Sequence, residues 1–459
     1  MSDRDNSTTD SRAWYEGISG YQWLVLTVCS AGWMFDVFEG QIFVASMRDA
    51  LPHLLGGISA DDPAVKKWVD WSLASFLIGG ALGGVFFGWL SDIIGRSKTM
   101  IYTILFYSLF TCLTAFATEP WHMVALRFLV AIGVGGEWAV ASAMVSEVMP
   151  KRSRPVMGSI FHASSVFGTL LAAAVGFFIL AAQPWGDSTW KLGFLIGVVP
   201  AFLILIIRWK MHEPEQWQEA QDRASKDKTQ AMGRIGDLFN AENLRATTIG
   251  VTLATIGLIT FWGCHIYGKN ALLRHAQTQA LVAEGISSDA DKAAKMAAFS
   301  THKSVIKKAE MTSMALNTVG GGLGLVLFGW FAARLGRRGA FVFYHVGAAV
   351  MVAVMFLWLI PKGASYMQLA IALPFFGFLT LGMHAGYAVY FPELYKTRLR
   401  GTGTGFCFNM GRIFAAAYLF FVASKLMPEK AALYMIPLYL IGVVVALMGP
   451  ETKGRELPD

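Results

Sequence analysis

The chain has 459 residues, of which 55% are hydrophobic and only 15% are charged, and its formal net charge is +7. With a mean hydropathy of +0.48, this composition excludes an ordinary soluble globular protein and predicts a polytopic membrane protein. The basic residues fall in short loops between apolar segments, which argues against a nucleic-acid partner.

A membrane-spanning helix needs about 20 mostly apolar residues, and twelve such segments follow one another along the chain. We call them spans 1 to 12, with predicted bounds 22–47, 71–91, 99–118, 120–145, 155–182, 191–208, 246–267, 311–333, 339–361, 364–391, 401–424 and 431–449. The predicted fold class is therefore an all-α membrane protein with twelve transmembrane helices.

Lysines and arginines cluster after spans 2, 4, 6, 8 and 10. The positive-inside rule places these loops and both termini in the cytoplasm, which suits a multi-pass protein of a plasma membrane, here a bacterial inner membrane. The polar start "MSDRDNSTTD" is followed by a long apolar segment with no cleavage site, so we expect no signal peptide. The four cysteines lack metal-ligand spacing, and neither a metal site nor a cofactor is expected.

Two stretches of the chain recur. "GWLSDIIGRSKTM" at 88–100 matches "GWFAARLGRRGAF" at 329–341, and "EVMPKRSR" at 147–154 matches "ELYKTRLR" at 393–400, at offsets of 241 and 246 residues. Duplicated halves are common in transporters. The predicted units are an N-terminal half at 1–210, a cytoplasmic linker at 211–244, a C-terminal half at 245–450 and a tail at 451–459.

Five charged residues lie in the interior of the twelve spans: Asp36, Glu39, Arg127, Glu137 and Arg412. Insertion of a charged side chain at the centre of a spanning helix costs roughly 2.5–3.5 kcal/mol. We therefore expect each of them to face the interior of the bundle or a water-filled cavity, and we treat them as candidate functional residues.

Asp36 and Glu39 are three residues apart, so they share one face of span 1. In a low dielectric the two carboxylates repel, and a carboxyl that takes up a proton near neutral pH is what a proton carrier needs. Glu39 and Arg127 lie at similar depths, roughly 11–12 Å from the outer end of their spans, so they could form an ion pair. Protonation of Glu39 would then free Arg127 for a substrate carboxylate.

Arg412 of span 11 is expected near the middle of the membrane, where transporter sites lie, and its guanidinium suits bidentate binding of a carboxylate. The alternative is a structural pair within the C-terminal half. Glu137 lies deeper in span 4, and we assign it a gating or packing role. Further candidates for the substrate site are Asn409, Phe43 and His384; weaker ones are His162, Ser165, Trp262, Tyr267, Asn317 and Tyr387.

The repeated motifs at the predicted cytoplasmic ends suggest a gate. Gly88 and Gly95 permit a close helix contact and a tight turn, while Asp92 and Arg96 can make charge contacts between helices. Glu147 with Arg154, and Glu393 with Arg400, would repeat that chemistry. Such pairs are expected to break when the transporter changes state.

Together these motifs resemble the major facilitator superfamily in its sugar-and-other-transporter branch. They comprise the paired "GxLxDxxGR"-like loops, "RFLVAIGVGGEW", "SEVMP", "FPELYKTRLRGTGTGF" and "PETKG". The acids of span 1 and "GGEW" of span 4 are similar to those of organic-acid/proton symporters: sialate, lactate and aromatic-acid permeases. In sugar/proton symporters of this branch, the acid and arginine at the positions of Glu39 and Arg127 are the proton-coupling pair.

Residues 269–310 form an insert between spans 7 and 8, predicted on the outer side, with seven Lys or Arg and four Asp or Glu residues. "SDAD" suits a helix start, so we expect one or two amphipathic helices there, over the vestibule or on the membrane surface.

The expected function is secondary transport by alternating access, with proton-coupled uptake of a small organic acid; sodium is an alternative coupling ion. The partners expected are that substrate and membrane lipid, with the protein acting as a monomer and not as an enzyme. "GGALGG" lacks the GK[ST] of a nucleotide-driven pump. Three alternatives remain: a neutral-sugar symporter, a zwitterion symporter and a sensing receptor without net flux. Span 7 has no Asn or Gln, which counts against the sugar symporter.

Overall fold

The computed structural model describes residues 13–59, 62–180, 182–421 and 432–459. Within these ranges all regular secondary structure is helical. Seven stretches of these described residues are continuous, long and apolar enough to cross a membrane, and the longest, Lys303–Leu359, has 57 residues and accommodates two crossings. The predicted all-α membrane fold is confirmed.

Spans 1 to 4 are single helices, at Gly20–Leu54, Pro63–Ile94, Arg96–Thr114 and Pro120–Val148. Span 5 runs through Arg154–Ala163, Ser165–Val175 and a π-helical turn at Gly176–Leu180. Span 6 combines Thr189–Ile196 and Phe202–Lys210 across a 3₁₀ turn at Val199–Ala201. Side-chain caps define the N-termini of the first two helices. Ser19 forms a capping box with Gln22 before span 1, and the Asp62 side chain accepts a hydrogen bond from the Ala64 N–H before span 2.

Span 7 consists of Leu244–Thr260, a π-helical turn at Phe261–His265 and Ile266–Gly268. Spans 8 and 9 lie within Lys303–Ala353, which Gly336 breaks at φ 79°, and a π-helical turn follows at Val354–Leu359. Span 10 comprises Tyr366–Gly382 and Ala385–Tyr390, span 11 is Arg400–Phe421, and the described part of span 12 is Met435–Met448.

Two further regions lie outside the spans. A short helix, Glu215–Lys226, follows span 6 in the predicted linker. The insert contains the helices Ala271–Ala283 and Lys292–Thr301, and the second starts where "SDAD" predicts, with the Asp291 side chain accepting from the Ala294 N–H at 2.7 Å.

Small residues bring the spans close together. A Cβ built on Gly83 of span 2 would lie 2.0 Å from the Ile132 carbonyl oxygen of span 4, and one on Gly324 of span 8 would lie 2.3 Å from the Phe378 carbonyl oxygen of span 10. Only glycine permits these backbone contacts. The outward faces carry exposed large apolar side chains such as Phe86, Leu105 and Phe375, which suits contact with lipid tails.

Candidate functional site

The ion pair predicted from the depths of the charges is present in the structure. Arg127 Nη1 lies 2.6 Å from Glu39 Oε1 and 2.7 Å from Oε2, and both side chains are 2% exposed. The Thr111 hydroxyl of span 3 donates to Glu39 Oε1 at 3.3 Å. A charge at this depth is stable only with a partner, so the geometry shows how the bundle holds both groups. Their role in proton coupling stays a prediction.

The Arg127 guanidinium is sandwiched between two aromatic rings. Its Cζ lies 3.9 Å from the centroid of Phe43 and 4.0 Å from that of Phe76. Phe43 was expected at the substrate site; the structure places it, almost fully buried, against the Arg127 guanidinium, and its contact with a substrate stays a prediction. The two rings fix the plane of the guanidinium and exclude water from it.

Asp36 lies one helical turn before Glu39 and has no such partner. It is 2% exposed, and neither of its carboxylate oxygens has a hydrogen-bond partner among the described residues. Tyr107 of span 3 lies close to it, and Glu137, Glu39 and Arg412 lie within electrostatic range. The two acids of span 1 therefore have different surroundings despite sharing a helix face.

Glu137 of span 4 is fully buried. The Thr103 hydroxyl of span 3 donates to its Oε2, while its Oε1 has no partner among the described residues and faces Gly32 of span 1. Span 4 places Glu137 near Asp36, and its gating or packing role stays a prediction.

Arg412 and Asn409 of span 11 lie against glycines of span 2. A Cβ on Gly80 would be 2.6 Å from Arg412 Nη1, and one on Gly84 would be 1.8 Å from Asn409 Nδ2. Asn409 donates to the Gly405 carbonyl at 2.8 Å. Arg412 Nη1 has no hydrogen-bond partner among the described residues, and the Arg412 Cζ lies 5.3 Å from the Phe408 ring. Arg412 thus lies where spans of the two predicted halves meet, and no carboxylate of the described residues is within hydrogen-bond range of its guanidinium.

His384 lies between the two helices of span 10. Its Nδ1 contacts the Leu381 carbonyl at 3.1 Å, its Nε2 has no partner among the residues described, and its ring packs against Phe261 and Tyr387 with centroids 5.4 Å away. His162 of span 5 is near enough to interact with it electrostatically. Sequence reasoning ranked His162 below His384, and in the structure its Nδ1 accepts a hydrogen bond from the Trp138 indole N–H at 3.0 Å.

A buried polar cluster joins spans 7, 8 and 10, and sequence reasoning named its Asn317 but missed His265 and Thr380. His265 Nδ1 lies 2.7 Å from the Thr380 hydroxyl, and Asn317 Nδ2 lies 3.3 Å from His265 Nε2. The sequence feature that could have indicated His265 is that it is the single histidine in the apolar stretch "FWGCHIYG". In the structure this stretch forms a π-helical turn, a feature found often at functional sites.

The gate motifs form a network of four side chains at one end of the bundle, and we call this end the basic end. The four residues are Asp92, Arg96, Glu147 and Arg400. Arg96 Nη1 lies 2.6 Å from Asp92 Oδ1, and Arg96 Nη2 lies 2.8 Å from Glu147 Oε1. Arg400 Nη1 lies 2.8 Å from the same Glu147 oxygen. All four side chains are buried.

The network also ties span 2 to the start of span 11. The Asp92 carboxylate accepts from the Gly401 N–H at 3.0 Å and from the N–H and hydroxyl of Thr402 at 2.8 and 2.6 Å. A Cβ on Gly88 would lie 2.6 Å from the Gly401 carbonyl oxygen, as expected of a close contact. The basic end is therefore closed across the two predicted halves.

The expected partners within the gate were wrong. Glu147 pairs with Arg96 and Arg400 rather than with Arg154, and Glu393 pairs with Arg337 at 2.5 Å rather than with Arg400. Arg154 instead donates to the Ser146 carbonyl at 2.9 Å. The reason is that the chain reverses after span 4, which aims Arg154 at the free carbonyl groups of the helix end.

Two glutamates outside the spans were also missed. Glu213 accepts from the N–H groups of Arg96, Ser97 and Lys98, directly after Gly95 at φ 108°. Glu451 does the same for Arg337 and Arg338, after Gly336 at φ 79°. Burial opposes ionisation of Glu451, but these backbone donors and that of Lys453 hold its pKa below the ordinary value. The sequence signal was a glutamate next to a proline after a span: Glu213 precedes Pro214 in "HEPE", and Glu451 follows Pro450 in "GPET".

Comparison with known proteins assigns the chain to a family. The profile of the sugar (and other) transporter family matches residues 24–459. The chain belongs to this family of the major facilitator superfamily. It is a transporter and not an enzyme, and it crosses the membrane several times.

Among its relatives, the chain is 27% identical to a probable 4-methylmuconolactone transporter of Cupriavidus pinatubonensis, covering 97% of this chain and 95% of that one. It is 25% identical to the sialic acid transporter NanX of Escherichia coli, covering 96% and 97%. Its fold is similar to that of the proton:xylose symporter XylE, with a TM-score of 0.73 at 16% identity, covering 95% of this chain and 98% of that one.

Proposed function

We propose that the protein takes up a small organic acid together with protons, by alternating access, across the inner membrane of a bacterium, with both termini in the cytoplasm. The observation that carries the proposal is the buried Glu39–Arg127 pair. A second arginine, Arg412, has an Nη1 without a hydrogen-bond partner among the described residues. The names of the relatives, a muconolactone transporter and a sialic acid transporter, support an acid as substrate.

The ion pair gives a route for coupling. While Glu39 is ionised, it occupies Arg127 through both carboxylate oxygens. Protonation removes the negative charge and leaves the guanidinium, still stacked on Phe43, available for the carboxylate of the substrate. Arg412 supplies a second cation from the opposite half of the chain, so a bound acid would contact spans 4 and 11 together.

The network at the basic end accounts for the change of access. Glu147 and Arg400 close this end in the state described, so the substrate would reach the central arginines from the other side. Opening toward the cytoplasm requires the contacts of Asp92 with Gly401 and Thr402 to break. These contacts therefore act on the conformational equilibrium and not on the substrate.

An uptake experiment tests the proposal. Purified full-length protein in liposomes is given sialate, muconate, nicotinate, benzoate or lactate, with and without an inward proton gradient, and xylose and betaine serve as the neutral and zwitterionic comparisons. We expect at least one acid to accumulate only with the gradient. Accumulation of xylose or betaine alone, or acid uptake indifferent to the gradient, would contradict the proposal.

A further inference from the structure

Two buried carboxyl groups, Asp36 and Glu137, lie next to the Glu39–Arg127 pair but are not part of it. They are 2% and 0% exposed, they belong to spans 1 and 4, and they are close enough to interact electrostatically. No ion pair within 4.0 Å involves either of them in the described part of the chain. Both therefore need another way to avoid carrying an uncompensated charge.

Their hydrogen bonds are incomplete. Both Asp36 oxygens and Glu137 Oε1 have no partner among the described residues, and the same holds for the hydroxyl of the fully buried Tyr107 beside them. Only Glu137 Oε2 is bonded, by the Thr103 hydroxyl. Glu39, by contrast, receives hydrogen bonds at both oxygens from Arg127. A proton on the Asp36–Glu137 pair removes one charge and supplies a donor at the same place.

We propose that Asp36 and Glu137 form a second proton-binding site, which takes up and releases one proton in each transport cycle in addition to the proton on Glu39. This inference rests on the proposed proton-coupled uptake and adds a count of protons to it.

Arg412 is the group that can make this site release its proton. The groups that face the pair are Glu39 and Cys29 of span 1, Thr103 and Tyr107 of span 3, and Arg412 of span 11. Arg127 is already paired with the Glu39 carboxylate, whereas Arg412 makes no ion pair within 4.0 Å among the described residues and its Nη1 has no hydrogen-bond partner there.

Arg412 belongs to the other predicted half, and it rests on Gly80 of span 2. A reorientation of the halves therefore changes its distance from Asp36. Approach of the guanidinium favours the ionised carboxylate and expels the proton, and withdrawal favours proton uptake. The site thus loads and unloads with the conformational change, which is what coupling requires.

A second proton changes the electrical character of transport. One monoanion with one proton moves no net charge, whereas one monoanion with two protons moves one positive charge inward. An inside-negative membrane potential then adds to the driving force, with roughly a 50-fold effect on accumulation at equilibrium for each 100 mV, taken as about 2.3 kcal/mol per charge.

The first test needs no substrate. Infrared difference spectra of the full-length protein in lipid, recorded during a pH titration, report the carbonyl stretch of protonated carboxyl groups. We expect a titrating band that weakens in Asp36→Asn and in Glu137→Gln and persists in Asp222→Asn, which changes an exposed carboxyl of the linker helix. A spectrum unchanged in the Asp36→Asn/Glu137→Gln double variant would overturn the proposal.

The second test counts charge. Uptake of the acid that accumulates in the liposome panel is measured at a fixed proton gradient, with the membrane potential set by potassium and valinomycin. We expect an inside-negative potential to raise accumulation of the acid in the native protein. In the Glu137→Gln variant, accumulation should no longer depend on the potential. Gradient-driven uptake that ignores the potential in the native protein contradicts the second site alone, whereas absence of gradient-driven uptake contradicts the proposed function. A requirement for sodium in place of protons overturns both.

Discussion

At the scale of single residues, the two acids of span 1 differ because of what the neighbouring spans present to them. Span 4 places Arg127 against Glu39, while Asp36 meets Tyr107 and Glu137. Three residues of separation put both acids on one helix face, but the partners come from other helices. The chemistry of each acid is therefore set by packing between spans.

Replacement of Glu39 by Gln should separate proton coupling from substrate movement. Gln keeps the shape but cannot ionise to pair with Arg127 again after the substrate has left, so the empty carrier should not return. Net accumulation driven by a proton gradient should then be lost even with the Asp36–Glu137 site intact, while counterflow exchange of the substrate continues. The measurement is uptake of labelled acid in liposomes under both conditions, with Glu242→Gln at an exposed surface pair as the control. Gradient-driven accumulation in Glu39→Gln at the native level would disprove the coupling role.

That variant leaves Arg127 buried without its carboxylate, which can cost about 3–5 kcal/mol. The double variant Glu39→Gln/Arg127→Gln removes both charges and should recover folded protein, judged by a monodisperse elution peak in detergent. It should remain uncoupled, so that loss of folding and loss of coupling are told apart.

Replacement of Arg412 by Lys should affect substrate binding more than turnover. Lysine keeps the positive charge but loses the planar pair of donors that binds a carboxylate at two points. We expect the KM for the acid to rise by about 10-fold, which corresponds to about 1.4 kcal/mol, with a smaller change in kcat. An unchanged KM would instead assign Arg412 a structural role between spans 2 and 11.

At the scale of helices, glycines decide how close the spans come. Gly322 and Gly324 lie two residues apart in span 8, yet a Cβ on Gly324 would lie 2.3 Å from the Phe378 carbonyl oxygen, while one on Gly322 would meet Val166 at an ordinary 3.5 Å. Alanine substitutions at Gly322 and Gly324 therefore compare an open and a closely packed position within one helix.

Gly324→Ala should destabilise the bundle by about 1–3 kcal/mol, because the added methyl group forces span 10 away. Gly322→Ala should be neutral or slightly stabilising, since alanine favours the helix. The Tm of each variant in detergent is the measurement. Equal Tm values for the two variants would show that spans 8 and 10 do not pack as closely as described.

The sequence was sufficient for the helices and for the Glu39–Arg127 contact between spans 1 and 4, but not for most other contacts between helices. Apolar length predicted the spans, and a charge inside an apolar segment was enough to single out Asp36, Glu39, Arg127 and Arg412, because burying such groups is costly wherever they lie. The partner of Glu147 could not be predicted, since Arg400 reaches it only through the packing of span 11 against span 2. The Glu213 and Glu451 caps depend in the same way on where the chain returns after spans 6 and 12.

At the scale of the whole molecule, the basic end is closed by charges that cross between the two predicted halves. Glu147 is the centre of this closure, because one carboxylate holds both Arg96 and Arg400. Alternating access requires this closure to be reversible, so weakening it should shift the equilibrium toward the state in which the basic end is open.

Glu147→Gln should increase access from the basic end. Ser142 is buried and donates to the Ala388 carbonyl at 3.0 Å, so a cysteine there, in a background with the four native cysteines replaced by alanine, reports opening. We expect faster labelling by a membrane-impermeant thiol reagent in inside-out vesicles for Glu147→Gln than for Glu242→Gln. Equal labelling rates would show that the network does not hold this end shut.

The central claim is that an acid and protons move together, and simultaneous recording of both fluxes tests it most directly. Liposomes that contain the native protein and an internal pH-sensitive dye are given the acid identified by the uptake panel, with no gradient imposed, and lumenal pH and labelled acid are followed together. The account predicts that the lumen acidifies in step with acid uptake, and that the Glu39→Gln variant does not acidify it. Acid uptake without lumenal acidification in the native protein would contradict the claim.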